Sequence, residues 1–370
     1  MKLGDICKIK YGKDHKKLND GHIPVYGSGG VMRYVDSALW DKPSVLIPRK
    51  GTLDNLFFVD VPFWTVDTLF WTDINVDIVL PEYLFYQLKT KDLASLNVGT
   101  AVPSLTTEIL NEVEIDLLPL EEQKQVVRLL GTIDDKIALN TKLNGYLEEC
   151  LLAKYDELFD AEAPFNGTLA DISEIVGGAT PSKKNPEYYC RDGIGWITPR
   201  DLSNTCDKFI AHGADDITDI GFNSCSVKLL PRGSVLFSSR APIGYIAIAS
   251  NAVTTNQGFK SVIPHEHIGT AFVYCYLVRN KQRIADMGAG TTFPEVSGKM
   301  MRTVELCLPD VSSCAELSAF AEPLFSQQYT LECENRELMS LRDALLPKLM
   351  SGEIDVTNVG LHGYNNRTVE

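Results

Sequence analysis

LRDALLPKL, residues 341–349, echoes LEECLLAKY at residues 147–155, with three leucines and a lysine in the same register. Such an offset, 194 residues, is the mark of a long internal repeat. The match extends outward. Leu3-Gly4-Asp5-Ile6 falls on Leu169-Ala170-Asp171-Ile172, Ser44-Val45-Leu46 on Ser234-Val235-Leu236, and Lys50 on Arg240. Thr65 and Phe70 fall on Thr254 and Phe259, which sets Asp67-Thr68 against Asn256-Gln257. Gly99-Thr100 and Pro103 fall on Gly290-Thr291 and Pro294. Each copy has a mixed first part, with short β-type runs such as SVLIP and SVLFS between Gly, Pro and Asn turns. One helix-like segment follows, EYLFYQLKT or AFVYCYLVRN, and then a long helical part without proline from Leu120 to Ala163 in the first copy.

The first long segment carries a heptad seam: Val126, Leu130, Ile133, Ile137, Asn140, Asn144, Leu147, Leu151, Lys154 and Leu158. Shifted by 194 residues, the second reads Phe320, Leu324, Gln327, Leu331, Glu334, Leu338, Leu341, Leu345 and Lys348. A segment of about 38 residues makes a rod of roughly 57 Å. Polar residues in mid-seam can set register and orientation. Pro323 is expected to start the second helix and Pro347 to kink or end it near Lys348. The expected fold is α+β: two similar mixed α/β domains separated by two long antiparallel helices in a coiled coil, with pseudo-twofold symmetry. The segments are 1–119, domain 1; 120–160, helix 1; 161–310, domain 2; 311–355, helix 2; and 356–370, a tail expected to be disordered. Similar but non-identical heads at a fixed spacing suit two short sites on a long ligand such as DNA.

A net charge of −14 argues weakly against a nucleic-acid partner, but its distribution does not. Residues 1–50 hold ten Lys/Arg against five Asp/Glu, and the excess acid lies mostly in 121–160 and 311–370. Nine cysteines form no C-x-x-C pair, which leaves zinc and disulfide frameworks unsupported and fits a cytoplasmic home. No apolar run is long enough for a membrane span, and MKLGDICKIKYG has no leader-type apolar core.

The ordered motifs resemble those of type I restriction-modification specificity subunits. The first copy supplies HIPVYGSGG (22–30), FWTVDTLFW (63–71), GTAVPSL (99–105) and LPLEEQKQVVRLLGTIDDKIALN (118–140). The second supplies GGATPSKKNPEYYCRDGIGWITPRDL (177–202), LLPRGSVLFSSRAPIGYIAI (229–248), TTNQGFKSV (254–262) and LRDALLPKLMSGEI (341–354). The resemblance implies two target-recognition domains, each reading half of a bipartite double-stranded DNA site, and helices that set the unread gap. It implies docking of two modification subunits on the helices, a restriction subunit in the full complex, and no catalysis or cofactor in this chain. S-adenosylmethionine would sit on the modification partner. LPDVSSCAELSAF departs from the LPLEEQK wording, so docking is expected to differ between the halves.

Other chemistry has weaker support. NPEYY (185–189) resembles an amino-methyltransferase box, but stands in a Lys-rich stretch with Glu187 in place of a proline. GSGG (27–30) lacks the ending of a phosphate loop and suits a turn. His265 and His267 have no evident third ligand. For phosphate contacts the candidates are Lys10, Lys13, Lys16 and Lys17, with Ser182, Lys183 and Lys184 as second-copy counterparts. A solvated charge run is the plain alternative. For base contacts they are Arg49, Lys50, Thr68, Arg240 and Gln257, then Arg33, Ser104 and Arg200. For the partner-facing seam they are Leu130, Ile133, Ile137, Asn140, Leu147, Leu331, Leu338, Leu341 and Leu345. Rival functions are a stand-alone DNA methyltransferase, a protein-binding adaptor and a silent copy.

Overall fold

The computed structural model describes residues 1–99, 102–205, 207–288 and 294–356. Thr100, Gly290 and Thr291 of the repeat, and the tail from 357, lie outside these. The described residues form two compact units, 1–137 with 337–356, and Ala138–Arg336. Each unit contains part of each long helix.

In the first unit α1 (Leu3–Ile6) leads into β1 (Cys7–Tyr11), followed by β2 (Asp20–Gly27), β3 (Gly30–Val35), β4 (Ser44–Pro48), β5 (Phe57–Val59), β6 (Trp64–Thr65) and β7 (Leu69–Ile74). Then come α2 (Pro81–Lys89), α3 (Thr107–Asn111) and the long α4 (Leu120–Leu158). The central sheet is antiparallel, in the order β1-β7-β4-β5, and a smaller sheet runs β3-β2-β6. Gly27 to Gly30 turns the β2–β3 hairpin, with Gly30 at φ +111, as the GSGG stretch predicts.

The second unit opens with β8 (Gly167–Thr168), α5 (Leu169–Ile172) and β9 (Ser173–Gly177). Next are β10 (Tyr189–Cys190), β11 (Gly195–Ile197), α6 (Pro199–Ser203), β12 (Phe209–Ile210), β13 (Asp216–Ile217) and α7 (Asp219–Asn223). After them come β14 (Val235–Phe237), β15 (Ile246–Ala249), β16 (Val253–Thr255), β17 (Lys260–Pro264), α8 (Gly269–Arg279), α9 (Lys281–Asp286), α10 (Gly298–Arg302), β18 (Glu305–Leu306) and α11 (Val311–Met350). Its main sheet is β12-β15-β14-β17-β9.

The two main sheets share one register. Cys7 pairs with Ile74 and Tyr11 with Phe70; Ser173 pairs with Pro264 and Gly177 with Lys260. The offsets are 166 on the first strand and 190 on its partner. Gly12 and Gly178 show why the repeat carries glycine after that first strand. A Cβ on Gly12 would stand 2.0 Å from the Val66 carbonyl oxygen, and one on Gly178 2.1 Å from that of Asn256.

Each core is the sheet and one helix closed by the long helices. In the first unit Phe70, Tyr83, Leu84 and Leu88 pack with Val126, Leu130, Leu346 and Leu349. In the second, Phe237, Val262, Phe272 and Leu277 pack with Leu151, Tyr155, Leu317 and Ala321. The helices run antiparallel within each unit. Arg342 Nη1 donates to Asp134 Oδ1 at 2.8 Å in the first. In the second, Asn140 Nδ2 donates to Glu334 Oε2 at 2.8 Å and Asn335 Oδ1 at 3.0 Å, and Lys154 pairs with Glu316 at 2.8 Å.

The α4 seam follows the expected heptad, with Leu130, Ile133 and Asn140 buried and Ile137 and Leu147 half-buried; Tyr155 takes the place given to Lys154. The α11 seam differs. Its inward positions are Leu317, Ala321, Leu324, Gln328, Leu331, Asn335, Leu338, Arg342, Leu345 and Leu349, all buried or half-buried. Leu331, Leu338 and Leu345 stand as expected, but Leu341 is 48% exposed and Phe320 38%. Every second position is one residue later than the shifted copy predicts. Gln328, Asn335 and Arg342 each pair with a residue of α4, and a satisfied polar side chain fits a seam; the expected Glu334 is half-buried beside Asn335 and also pairs with Asn140, so there both neighbours face α4.

Pro323 lies inside α11 rather than at its start, and the helix continues three residues past Pro347. Each proline removes one backbone donor. The residues four places earlier, Ala319 and Asp343, are exposed, so water can satisfy the freed carbonyls. The helix starts also differ. Gln123 is fully buried; it accepts from Leu80 N at 2.9 Å and donates to the carbonyls of Ile78 (3.1 Å) and Leu118 (2.8 Å). At α11 Asp310 accepts from the hydroxyls of Ser312 and Ser313, which hold its carboxyl down at about 2, and from the Ser312 backbone N–H at 2.8 Å.

Candidate nucleic-acid interface

Strand register gathers the candidate loops at one end of each main sheet. In the first unit β1 ends at Tyr11, opposite Phe70, and β4 ends at Pro48, opposite Leu69, where β7 begins. The loops carrying Lys13, Arg49–Lys50 and Asp67–Thr68 therefore emerge together. Backbone hydrogen bonds tie them: Lys13 N to Thr65 O at 2.8 Å, Arg49 N to Thr68 O at 2.9 Å, and Leu105 N to Arg49 O at 2.9 Å. Lys50 and Ser104 form an antiparallel bridge. Arg49 Nη1 donates to the Asp67 carbonyl at 3.0 Å, and its guanidinium lies 5.3 Å from the Tyr11 ring centre. A cleft of about 760 Å³ beside the cluster is lined by Lys16, Gly29 and Thr68, with Asp14, His15 and Asp67, which sequence reasoning did not single out.

The second unit repeats the frame. Ala179 N donates to Thr255 O at 3.0 Å, Ser239 N to Gly258 O at 2.7 Å, and Val296 N to Ser239 O at 2.9 Å; Arg240 bridges Glu295. These pairings correct one detail of the sequence alignment. Thr65 is equivalent to Thr255 rather than Thr254, and Leu69 rather than Phe70 matches Phe259. Gln257 thus stands where Asp67 stands, and Thr68 is matched by Gly258. The shift arises because Thr254 and Thr255 are alike in letters while the coincidence of Phe70 with Phe259 favours the earlier of the two.

Not every candidate joins these clusters. Lys10 is exposed but in the body of β1, opposite Trp71. Arg33 is held by Asp20 Oδ1 at 2.7 Å and the Leu18 carbonyl at 3.2 Å, stapling the hairpin to the preceding loop. Lys17 is exposed in that loop. Ser182, Lys183 and Lys184 are exposed in the loop after β9. Arg200 is exposed on α6, whose Pro199 lies against Gly258, so it borders the second cluster. Gln257 is exposed and its side-chain oxygen accepts from the Thr180 hydroxyl.

Sequence reasoning missed Glu295 and Lys260. Arg240 Nε donates to Glu295 Oε2 at 3.0 Å, and Lys260 Nζ lies 3.3 Å from Glu295 Oε1. Burial pushes the Glu295 carboxyl up, but Arg240 and Lys260 outweigh it and hold it below the usual carboxylate range. Aligning Pro103 with Pro294 already placed Glu295 on Ser104, so the signal was present. The arrangement can present cations, amides and hydroxyls to phosphates and base edges. Among the described residues no cluster of three or more His, Cys, Asp or Glu could hold a metal, and no helix is long and apolar enough to cross a membrane. NPEYY forms a single 3-10 turn, Pro186–Tyr188, before the two-residue β10.

The family model described as type I restriction modification DNA specificity domain matches residues 1–149 and again 166–323. The MjaIX specificity subunit of Methanocaldococcus jannaschii is 43% identical over 144 residues, which is 38% of this chain and a third of that protein (33%). The HindI specificity subunit of Haemophilus influenzae is 24% identical over 80% of this chain and 82% of its own. A crystal structure of the S subunit from M. genitalium has a TM-score of 0.61 at 15% identity, covering 94% of this chain and 95% of that one, which places the fold. With its matched repeats in the same order as its two structural copies, the chain belongs to the type I restriction-modification DNA specificity family.

Proposed function

We propose that this chain is the sequence-recognition subunit of a type I restriction-modification complex, each unit reading one half of a bipartite DNA site. The carrying observation is the repeated loop frame, which holds different side chains at equivalent backbone positions: Lys50, Ser104 and Asp67 in one unit, Arg240, Glu295 and Gln257 in the other. One backbone with two side-chain sets suits two different half-sites on a continuous duplex.

The helices would set the unread gap and dock two modification subunits, which would carry S-adenosylmethionine and the methylating site, with restriction subunits joining the full complex in the cytoplasm. Leu139, Leu143 and Tyr146 support a docking role: they follow helical spacing on α4 and are 62%, 40% and 51% exposed. This chain's own part is to bind and orient DNA, so base methylation is assigned to the partner.

The test is to insert one heptad into each long helix at matched seam positions and map methylated adenines. Seven residues lengthen a helix by roughly 10 Å, about three base pairs. The unread gap should grow by that amount while both recognised halves stay the same. An active complex with an unchanged gap would contradict the assignment.

A further inference from the structure

The ion cluster of Arg240, Glu295 and Lys260 has a use beyond holding the loop. A carboxylate on a surface that meets phosphates is electrostatically adverse. The frame does not need it, because the equivalent bridge between Lys50 and Ser104 forms with a serine in that place. Arg240 is 49% exposed on its side chain and Lys260 15%, so the pair combines an outward cation with an inward one. Glu295 Oε2 accepts from Arg240 Nε at 3.0 Å, while its other oxygen lies 3.3 Å from Lys260 Nζ, which is also 3.4 Å from Ser239 Oγ. Gripping the guanidinium by Nε fixes its plane and leaves the two Nη groups as the donating edge. Guanine asks for two parallel donors, to O6 and N7.

We propose that Glu295 is a positioning residue, anchored by Lys260, that presents the Nη edge of Arg240 to a guanine in the half-site read by the second unit. This rests on the DNA-reading function proposed above. Lys260 returns the positive charge that Glu295 removes, so the cluster stays net cationic towards DNA. At the equivalent place in the first unit a serine, Ser104, bridges Lys50, so that cation works without a carboxylate guide from this position.

The test co-expresses the chain with its modification subunits in cells without other adenine methylation and maps the modified sites for wild type, Glu295→Ala and Glu295→Gln. Glu295→Ala should broaden one base position of one half-site, with about a tenfold or greater loss of preference there, and leave the other half unchanged. Glu295→Gln, whose amide oxygen still accepts from Nε, should keep the wild-type motif. A Glu295→Ala motif identical to wild type would overturn the inference, as would weakening of all positions together with a lowered Tm. If wild type yields no bipartite motif the functional assignment itself fails; if it does and the variants do not differ, only the role of Glu295 fails.

Discussion

The two loop clusters share a backbone and differ in charge design. Around Lys50 the first unit sets a serine, an aspartate held by its backbone to Arg49, and a wide cleft. Around Arg240 the second sets a glutamate clamped by two cations and a glutamine bonded to Thr180. The hydrogen bonds that position the loops are backbone to backbone in both. Stability of the frame is thus separated from the identity of the side chains it displays, which is what a scaffold for changing specificity requires.

The likeness of the two frames is most heavily exposed at the glycines. Gly12→Ala and Gly178→Ala each push a methyl group into a carbonyl at about the same distance. Each should cost roughly 3 kcal/mol in urea unfolding. Unequal costs would show that the shared frame is not equally tight. At the next level Arg240→Ala and Lys50→Ala should each weaken a different half-site, by about 1–3 kcal/mol, measured on duplexes mutated in one half at a time. If both variants weakened the same half, the equivalence of the clusters would be lost.

The smallest effect is on acid stability. The Glu295 carboxyl is held below its ordinary value of 4.5. A depressed folded-state value means stability that is present above pH 4.5 and lost as pH falls through the folded value. Ser104 has no such group. Glu295→Gln should therefore flatten the urea midpoint against pH below 4.5, and Ser104→Ala should leave that slope unchanged. An unaltered slope in Glu295→Gln would remove the electrostatic difference between the clusters.

Much of this organisation was legible in the chain, for physical reasons that can be named. The α4 seam was readable because Val126, Leu130, Ile133, Ile137, Leu147 and Leu151 keep the heptad alternation over the whole stretch, although Leu139, Leu143 and Tyr146 lie off it. The α11 seam was half readable. Leucines 324, 331, 338 and 345 announce themselves, but Gln328, Asn335 and Arg342 qualify as seam residues only once their partners on α4 are known. The strand repeat was visible to within one residue, and the error at Thr254–Thr255 displaced Gln257 from its true counterpart, Asp67. Among the site residues, Arg49, Lys50, Thr68, Ser104, Arg240 and Gln257 do converge on loop clusters, whereas Arg33 is committed to Asp20. Side-chain pairing across distant loops, such as Glu295 with Lys260, has no local pattern in sequence.

If this chain dictates where a partner methylates DNA, its removal must change the methylation pattern of the source cell. The decisive measurement is a map of methylated adenines across that cell's chromosome, with and without the gene. One bipartite motif, with a fixed unread gap, should disappear when the chain is removed and return when it is restored. A map unchanged by its removal would contradict the proposed role.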